Sequence, residues 1–212
     1  MAGEIEGQIL ETASRLFFTQ GYAQTGINQL IDESGVAKRT FYRHFASKEV
    51  LGVAYLDRGA AHWLAGLSKA ARVRVTPLER LRALFAFLES FALETEFRGC
   101  GMLNMAAEFA DAGSLVRARV RAHKVRQREL LRELFAPGVD TATADAVHVL
   151  IEGAIAAAAA HLHVWPIRSA LRAAETLVGE GTLRPGALST APIPLPRPST
   201  LRKFTPPKGT HS

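Results

Sequence analysis

One short stretch of the chain collects side chains whose chemistry suits a polyanion such as DNA. Residues 38–48 contain four basic side chains and no acidic one. Lysine and arginine pair with phosphates, and an arginine can also donate two hydrogen bonds to one guanine, which favours that base by about 1–3 kcal/mol. The polar residues of this stretch that we expect to face outwards are Lys38, Arg39, Thr40, Tyr42, Arg43 and His44.

These residues lie in the second half of a pattern that predicts a helix-turn-helix over about residues 25–45. Thr25 is placed to cap a short helix, Gly35 to end it, and residues 38–45 to form a second short helix after the turn. The apolar residues that would pack both helices on a third are Ile27, Leu30, Ile31, Val36, Phe41 and Phe45. This packing leaves the basic side chains outside, where a DNA groove could reach them.

Helical periodicity continues along nearly the whole chain, and no run alternates between apolar and polar residues as a β-strand does. We therefore predict an all-α fold. After a cap at Ser47, one face of a long helix carries Val50, Val53, Ala54, Asp57, Ala61, Leu64 and Leu67. Residues 76–79, Thr-Pro-Leu-Glu, predict a helix start with a capping box. Further helices are predicted near residues 102–109, 115–135, 142–163 and 168–178.

The length and composition are those of an ordinary globular protein. The 212 residues are 48% hydrophobic and 22% charged, and a chain of this size can bury a core without disulfides. Its single cysteine cannot form an intramolecular disulfide, and the acidic start Met-Ala-Gly-Glu-Ile-Glu is not typical of a signal peptide. We therefore expect a cytoplasmic protein.

Most of the net charge of +6 comes from the C-terminal end of the sequence. Residues 181–212 carry five bases and no acid, whereas residues 1–50 carry five bases and six acids. Proline recurs through residues 185–207, and few apolar side chains are available to offset the entropy of ordering. We predict a disordered, proline-rich basic tail at 181–212. The total charge is therefore no argument for DNA binding.

The segment from residue 25 to residue 51 resembles the signature of the TetR family of one-component regulators; it reads TGINQLIDESGVAKRTFYRHFASKEVL. The resemblance is close over about residues 5–55 and architectural beyond them. It implies a homodimer, with a three-helix helix-turn-helix head at 4–64 and a larger helical effector-binding and dimerisation domain at 65–180. Ile31 and Ser34 stand where the family often has alanine, and both can pack.

The resemblance also implies roles for individual residues. Thr25 would cap the first helix of the motif, whose amides could face a phosphate. Contacts with backbone phosphates would come from Tyr42, His44 and Lys48, and contacts with base edges from Lys38, Arg39, Thr40 and Arg43. The alternative is that Tyr42 and His44 only pack the head and that the bases are solvated.

A pocket between the later helices is the expected place for a small effector. The candidate lining residues are aromatic, sulfur-containing or polar side chains within apolar stripes: Trp63, Phe85, Leu88, Met102, Asn104, Met105, Phe109, His123 and Gln127. An inward-facing His or Met is more often a core residue than a ligand contact, so the alternative is plain packing.

Cys100 lies between two glycines at a predicted helix start, two residues after Arg98. Such surroundings favour a thiolate, so sensing of electrophiles or oxidants is one hypothesis and an inert small residue is the other. His161 and His163 are two residues apart and diverge on a helix, so we predict no metal site. No cofactor motif is evident.

Small residues between 153 and 160 allow close helix approach, and we place dimerisation on the helices 142–163 and 168–178. The same segment is apolar enough to suggest a membrane span, but Asp145, His148 and Glu152 interrupt it, which favours a packing helix. Six bases between 117 and 128 point several ways around a helix, so we interpret them as a solvated face rather than a DNA patch.

The sequence therefore predicts a ligand-responsive regulator that binds an operator duplex as a homodimer, most simply a repressor released by a small molecule. An enzyme is disfavoured because the phosphate-binding, zinc-helix and nucleophile-elbow motifs are missing from the sequence. Two alternatives stay open: a regulator that senses electrophiles through Cys100, and a protein that coats DNA without sequence preference.

Overall fold

The computed structural model describes residues 2–136 and 138–181. Within these ranges the chain forms nine α-helices and no β-strand, which confirms the all-α prediction. The helices are α1 (Ala2–Gln20), α2 (Ile27–Ser34), α3 (Lys38–His44), α4 (Lys48–Arg72), α5 (Pro77–Glu94), α6 (Gly101–Ala107), α7 (Leu115–Phe135), α8 (Thr141–His161) and α9 (Trp165–Gly181). The predicted tail from residue 182 onwards lies outside the described residues.

The first three helices and the start of α4 enclose a small apolar core. It contains Ile9 and Leu16 of α1, Leu30 of α2, Phe41 of α3 and Leu51 of α4, all completely buried. Burial of these large side chains supplies the main stabilisation of a helical unit of this size. We call residues 2–47 with the first turn of α4 the head.

Helix α4 runs without a break from the head into the second half of the protein, so it crosses the predicted domain boundary at residues 64 and 65. The predicted face of α4 is wrong in its first half: Val50 and Asp57 are exposed, and Leu51 and Leu56 are buried instead. The reason is that α4 contacts α1, α6, α7 and α5 in turn, so the buried side rotates along its length.

The second half is a bundle in which α5, α7, α8 and α9 surround a larger core. Leu84 and Leu88 of α5, Leu131 of α7, Ile151 of α8 and Ala174 of α9 are all completely buried in it. The predicted capping box at the start of α5 is confirmed: the Thr76 hydroxyl accepts from the Glu79 amide, and the Glu79 carboxylate accepts from the Thr76 amide.

Several helix bounds differ by one to three residues from the sequence prediction. Helix α9 starts at Trp165 rather than near residue 168, because the amide of Trp165 finds an acceptor in Nδ1 of His163 at 3.0 Å. Helix α8 ends at His161, where Leu162 takes a left-handed conformation with φ of 51°. Helix α6 ends at Ala107, two residues before the predicted end.

Helix α8 is long and apolar enough to cross a membrane by length and composition alone. In the structure it packs on α5, α7 and α9, and 33% of its most apolar 18-residue stretch is buried. Val149 is 66% exposed, so apolar surface is left uncovered on one side of the helix. Helix α8 is therefore packed on one side by the bundle and carries exposed apolar surface on another.

The basic run on α7 is held largely by acids and carbonyls of the protein itself. Arg119 pairs with Asp57, and Arg126 pairs with Glu129 and Glu133. Arg117 and Arg121 donate to the carbonyls of Phe109 and Ala112. These contacts support the interpretation that the run is not a free cationic patch.

Asp145 of α8 is the acid most strongly held by this run. Arg128 and Arg132 of α7 each donate two hydrogen bonds to its carboxylate, at 2.7 and 2.8 Å for the Nε donors. The hydrogen bonds from Arg128 and then Arg132 hold the pKa of Asp145 well below its usual range. This forked contact joins the C-terminal half of α7 to the start of α8.

We predict that Asp145→Asn lowers the free energy of unfolding at neutral pH by about 1 kcal/mol, because the partly exposed arginines lose their charged partner. The carboxylate contribution is present above about pH 4 and is lost as the pH falls through its lowered pKa. Denaturant titrations should therefore show the difference shrinking on acidification. Asp57→Asn, which breaks one exposed ion pair, is the control; equal losses in both variants would contradict the prediction.

Candidate nucleic-acid interface

Helix α3 is fixed to the head by its aromatic side. Phe41 is completely buried and Phe45 is buried beside it, with their ring centroids 6.5 Å apart. The ring of Phe41 also meets the Tyr42 ring edge-on at 5.8 Å. Because these side chains take up the inner face, the opposite face of α3 is left to Lys38, Arg39 and Arg43.

The turn before α3 sets the angle between the two helices of the motif. Gly35 ends α2 in the left-handed conformation, with φ of 64°, which side chains other than glycine rarely adopt. The Gln8 side chain of α1 donates to the carbonyl of Ser34 at 2.7 Å and so ties the turn to the first helix. Ile31 and Ser34 are both buried, so both pack as expected.

The outer face of α3 presents cations that the described protein leaves unpaired. Lys38, Arg39 and Arg43 are exposed and form no ion pair with any described residue. Thr40 and His44 are half-buried on the same helix, and Tyr42 is 40% exposed. This surface differs from α7, whose arginines are held by acids and carbonyls. Free cations on a short outer helix suit contact with a DNA groove.

Two residues predicted to contact phosphates have further ties to the protein. The ammonium of Lys48 lies 4.2 Å from the centroid of the Tyr22 ring, and its burial lowers the pKa of the lysine. In His44 the Nε2 atom is enclosed, without a hydrogen-bond partner among the described residues. A phosphate contact from this ring would therefore have to use Nδ1.

The predicted cap at Thr25 is wrong. Gly26 is the N-cap residue of α2, and no side chain caps this end within the described part of the chain. Thr25 is completely buried, and its hydroxyl donates to the carbonyl of Gly21 at 2.7 Å. Its side chain therefore closes the loop between α1 and α2 and does not face a phosphate.

The predicted pocket residues do not form one site. Phe85 and Leu88 belong to the large core, whereas Met102, Met105 and Phe109 pack in a separate cluster around α6. Asn104 is exposed, and its amide donates to the carbonyl of Arg98 at 2.9 Å.

The structure does bring Trp63 and Gln127 together. The Trp63 indole donates to the completely buried Gln127 amide oxygen at 2.9 Å, and the amide nitrogen donates to Glu152 at 2.9 Å. Glu152 also accepts from Lys124, whose ammonium lies 3.6 Å from the Cys100 sulfur. Nδ1 of His148 lies 3.3 Å from the Gln127 amide nitrogen. We call Trp63, Lys124, Gln127, His148 and Glu152 the polar cluster.

Sequence reasoning missed Lys124, His148 and Glu152 as parts of this cluster. Lys124 is interpreted with the solvated bases of α7, although its side chain is only 18% exposed. A usable signal is helical spacing: Lys124 and Gln127 share one face of α7, and His148 and Glu152 share one face of α8. Only the packing of α7 on α8 shows that these faces meet.

His123 lies next to the cluster and is almost completely buried. Its Nδ1 atom has no hydrogen-bond partner among the described residues. Burial, followed by repulsion from Lys124, lowers the pKa of His123 from 6.5 to about 4, against the opposite effect of Glu152. Burial also lowers the pKa of His148. Both rings are therefore neutral at neutral pH.

The described residues contain no group of three His, Cys, Asp or Glu side chains that could hold a metal ion. His161 stacks against Trp165 at 5.0 Å, while His163 accepts from the Trp165 amide, so the two rings serve the turn between α8 and α9. Cys100 is half-buried beside Lys124.

Two family models match the chain over these same units. The model of bacterial regulatory proteins of the tetR family matches residues 9–55, from α1 to the start of α4. The model of the tetracyclin repressor-like C-terminal domain matches residues 77–174, from α5 into α9. The chain belongs to the TetR family.

Curated and solved relatives agree with this assignment. The transcriptional activator FasR of Mycolicibacterium smegmatis is 37% identical over 90 residues, which are 41% of each chain. The repressor KstR2 of Mycobacterium tuberculosis is 36% identical over 89 residues, 40% of this chain and 44% of the relative. The TetR-family regulator SCO4454 of Streptomyces coelicolor superposes with a TM-score of 0.75 at 27% identity, over 85% of this chain and 97% of that one.

The match to the curated relatives is partial. The chain spans about half the length of the first curated relatives it matches, between 41% and 57%. Each half of the chain is matched by its own family model, and the superposition covers most of both halves.

We predict that Thr25→Val lowers the free energy of unfolding by about 1 kcal/mol, because the carbonyl of Gly21 loses its donor in a buried place. Thr25→Ser should keep nearly all of the stability. Thr19→Val removes the same kind of bond, to the carbonyl of Arg15, from an exposed site and serves as the control. Thermal unfolding measures all three; no loss in Thr25→Val would contradict the buried bond.

We predict that the ring of His123 titrates near pH 4, as followed by imidazole NMR signals. The unfolded chain takes up this proton at about pH 6.5, so stability falls as the pH drops from about 6.5 to 4. His123→Gln should reduce that loss. A ring that titrates at about pH 6.5 would contradict the placement of His123.

Proposed function

We propose that this TetR-family protein is a DNA-binding transcriptional regulator. The observation that carries the proposal is the outer face of α3, where Lys38, Arg39 and Arg43 are exposed without acidic partners among the described residues. Cations that no acid neutralises are available to replace the counterions of a duplex. The short, rigidly anchored helix is of the size that enters a major groove.

Within this proposal, residues of α3 divide between sequence reading and positioning. Lys38, Arg39, Thr40 and Arg43 contact base edges, and an arginine held in place by a packed helix can make the bidentate contact with guanine. Tyr42, His44 and Lys48 contact the sugar-phosphate backbone and set the register of the head on the duplex. Thr25 supports the head from inside.

We propose a second copy of the chain as the partner that covers the free side of α8 and α9. Three apolar side chains that are about half exposed or more lie on these helices or in the turn between them: Val149, Leu162 and Trp165. Two helices from each copy would form a four-helix interface. A two-fold dimer then presents two heads to half-sites about 34 Å apart, which predicts a pseudo-palindromic operator.

We further propose that a small molecule controls this binding and that the protein represses its target in the free state. The polar cluster supports ligand response, since it holds an ion pair, an amide and the His148 imidazole inside the second half, with the His123 ring beside it. A small cavity of about 10 Å³, lined by residues of α5, α8 and the loop after α5, has room for about one water, so a ligand would bind to a more open conformation.

Repression is supported by relatives such as KstR2, which is named a repressor, while FasR is named an activator. The alternative of nonspecific DNA coating is not favoured, because the relatives are described as regulators of transcription. Their names do not refer to sensing through a cysteine, so they give no support to the alternative that rests on Cys100. The same descriptions support a regulator rather than an enzyme, acting in the cytoplasm.

The test starts from a duplex selected by the protein from a random pool. We predict that Arg43→Ala weakens binding to that duplex by about tenfold or more at fixed salt, since a bidentate base contact is lost. Tyr42→Ala should weaken binding as well. Fluorescence anisotropy measures the affinity, while sedimentation and circular dichroism establish that the dimer and its helices are kept.

Arg126→Ala is the matched control, because this arginine is paired with Glu129 and Glu133 on α7. It should bind the selected duplex like the unmodified protein. An Arg43→Ala variant with unchanged affinity would overturn the assignment of α3 as the reading helix. Equal affinity of the unmodified protein for selected and random duplexes would instead favour a DNA-coating protein.

A further inference from the structure

Arg98, in the loop between α5 and α6, is bonded to the head. Its guanidinium donates to the carbonyl of Phe18 at 2.8 and 3.2 Å and to that of Thr19 at 2.6 Å. These carbonyls belong to the last turn of α1, where a helix has no backbone donors left for them and where its dipole is negative. A cation at this place suits the end of α1 both by charge and by hydrogen bonding.

Glu108, at the other end of α6, is bonded to the loop that follows α1. Its two carboxylate oxygens accept from the amides of Tyr22 and Ala23 at 2.9 and 2.5 Å. The loop turns at Gly21, whose φ is 93°, and a Cβ atom there would lie 3.2 Å from the carboxylate. The loop backbone thus presents two donors side by side to an acid from the second half of the protein.

The segment that carries both charges is itself held in shape. The Asn104 amide of α6 donates to the carbonyl of Arg98 at 2.9 Å, which ties the loop back to the helix. Before Arg98, Glu96 and Phe97 both adopt positive φ values of 49° and 58°, which is unusual for residues with side chains. Gly99 then passes close to α8, where a Cβ atom in its place would lie 3.1 Å from the side chain of Ala159.

The contacts of Glu108 reach towards the DNA-facing end of α4. Tyr22, whose backbone amide donates to Glu108, also makes two contacts through its ring. The ring packs on Phe109, with centroids 5.1 Å apart, and lies under the ammonium of Lys48. Lys48 is one of the proposed phosphate contacts. A displacement of α6 would therefore move the loop after α1 and the side chain of Lys48 together.

We propose that Arg98, Asn104 and Glu108 form a clasp that positions the head on the second half of the protein, and that operator recognition depends on this clasp. This inference rests on the proposed function. Opposite charges at the two ends of one short helix grip the end of α1 and the loop after it. The loop that carries Arg98 contacts α8 at Gly99 and the polar cluster at Cys100. A conformational change in α8 or in the polar cluster would therefore reach the head through this loop.

The clasp is tested first on the full-length protein without DNA, by hydrogen–deuterium exchange. In Glu108→Ala the amides of Tyr22 and Ala23 lose their acceptor, and we expect them to exchange about tenfold faster or more. Glu108→Gln keeps an acceptor but not the charge and should lie in between. Glu94→Ala, which removes an exposed acid at the end of α5, is the control and should leave these amides unchanged.

The second measurement is operator binding. Glu108→Ala and Arg98→Ala should each weaken binding to the selected duplex by about tenfold. Binding to random duplex should weaken much less, because the cations of α3 are untouched and only Lys48 among the proposed phosphate contacts is displaced. Partial unfolding would reduce the affinities for the selected and for the random duplex together. The ratio of these two affinities therefore distinguishes a positioning role from a loss of structure. Glu108→Gln and Arg98→Lys should restore part of this ratio.

Two results would overturn the clasp: unchanged exchange of the two amides in Glu108→Ala, or faster exchange with an operator affinity equal to that of Glu94→Ala. Failure of the proposed function looks different. In that case the unmodified protein would not prefer the selected duplex at all, while the exchange experiment would still show whether Glu108 holds the loop. The two failures are therefore separable.

Discussion

Helix α4 carries side chains into all three apolar clusters of the described protein. Leu51 lies in the core of the head, Leu56 in the cluster around α6 and Leu67 in the large core. At 25 residues the helix is about 37 Å long, and its backbone hydrogen bonds make it a stiff rod. The position of the head therefore depends on the angle at which α4 packs on α6 and α7. A change in this angle would move the N-terminal end of α4, and the head with it.

Charge is distributed according to the same division of labour. The arginines of α7 are held by acids and carbonyls and so stabilise the bundle, while those of α3 are left without described partners. The clasp residues Arg98 and Glu108 use their charges on backbone groups at the end of α1 rather than on each other. The net charge of +6 does not distinguish the paired arginines of α7, the unpaired cations of α3 and the clasp. These groups differ in which atoms lie within about 3 Å of each charged side chain.

Local features were predictable from the sequence because their causes are local. The turn at Gly35, the cap at Ser47 and the capping box at Thr76 depend on a few neighbouring residues, and the structure confirms all three. The cap at Thr25 failed for a reason that is also local: the loop after α1 turns so that the hydroxyl donates to the carbonyl of Gly21, four residues earlier, and not to an amide of α2.

By itself, the sequence determined the helical fold, the helix-turn-helix and the outward face of α3, since periodicity and capping are read over a few turns of one helix. The tertiary structure alone decided which side chains meet across helices. The polar cluster joins α4, α7 and α8, and the clasp joins residues about 80 positions apart, such as Arg98 and Phe18. Such pairs leave no periodic trace along the chain, because they arise only when separate helices pack.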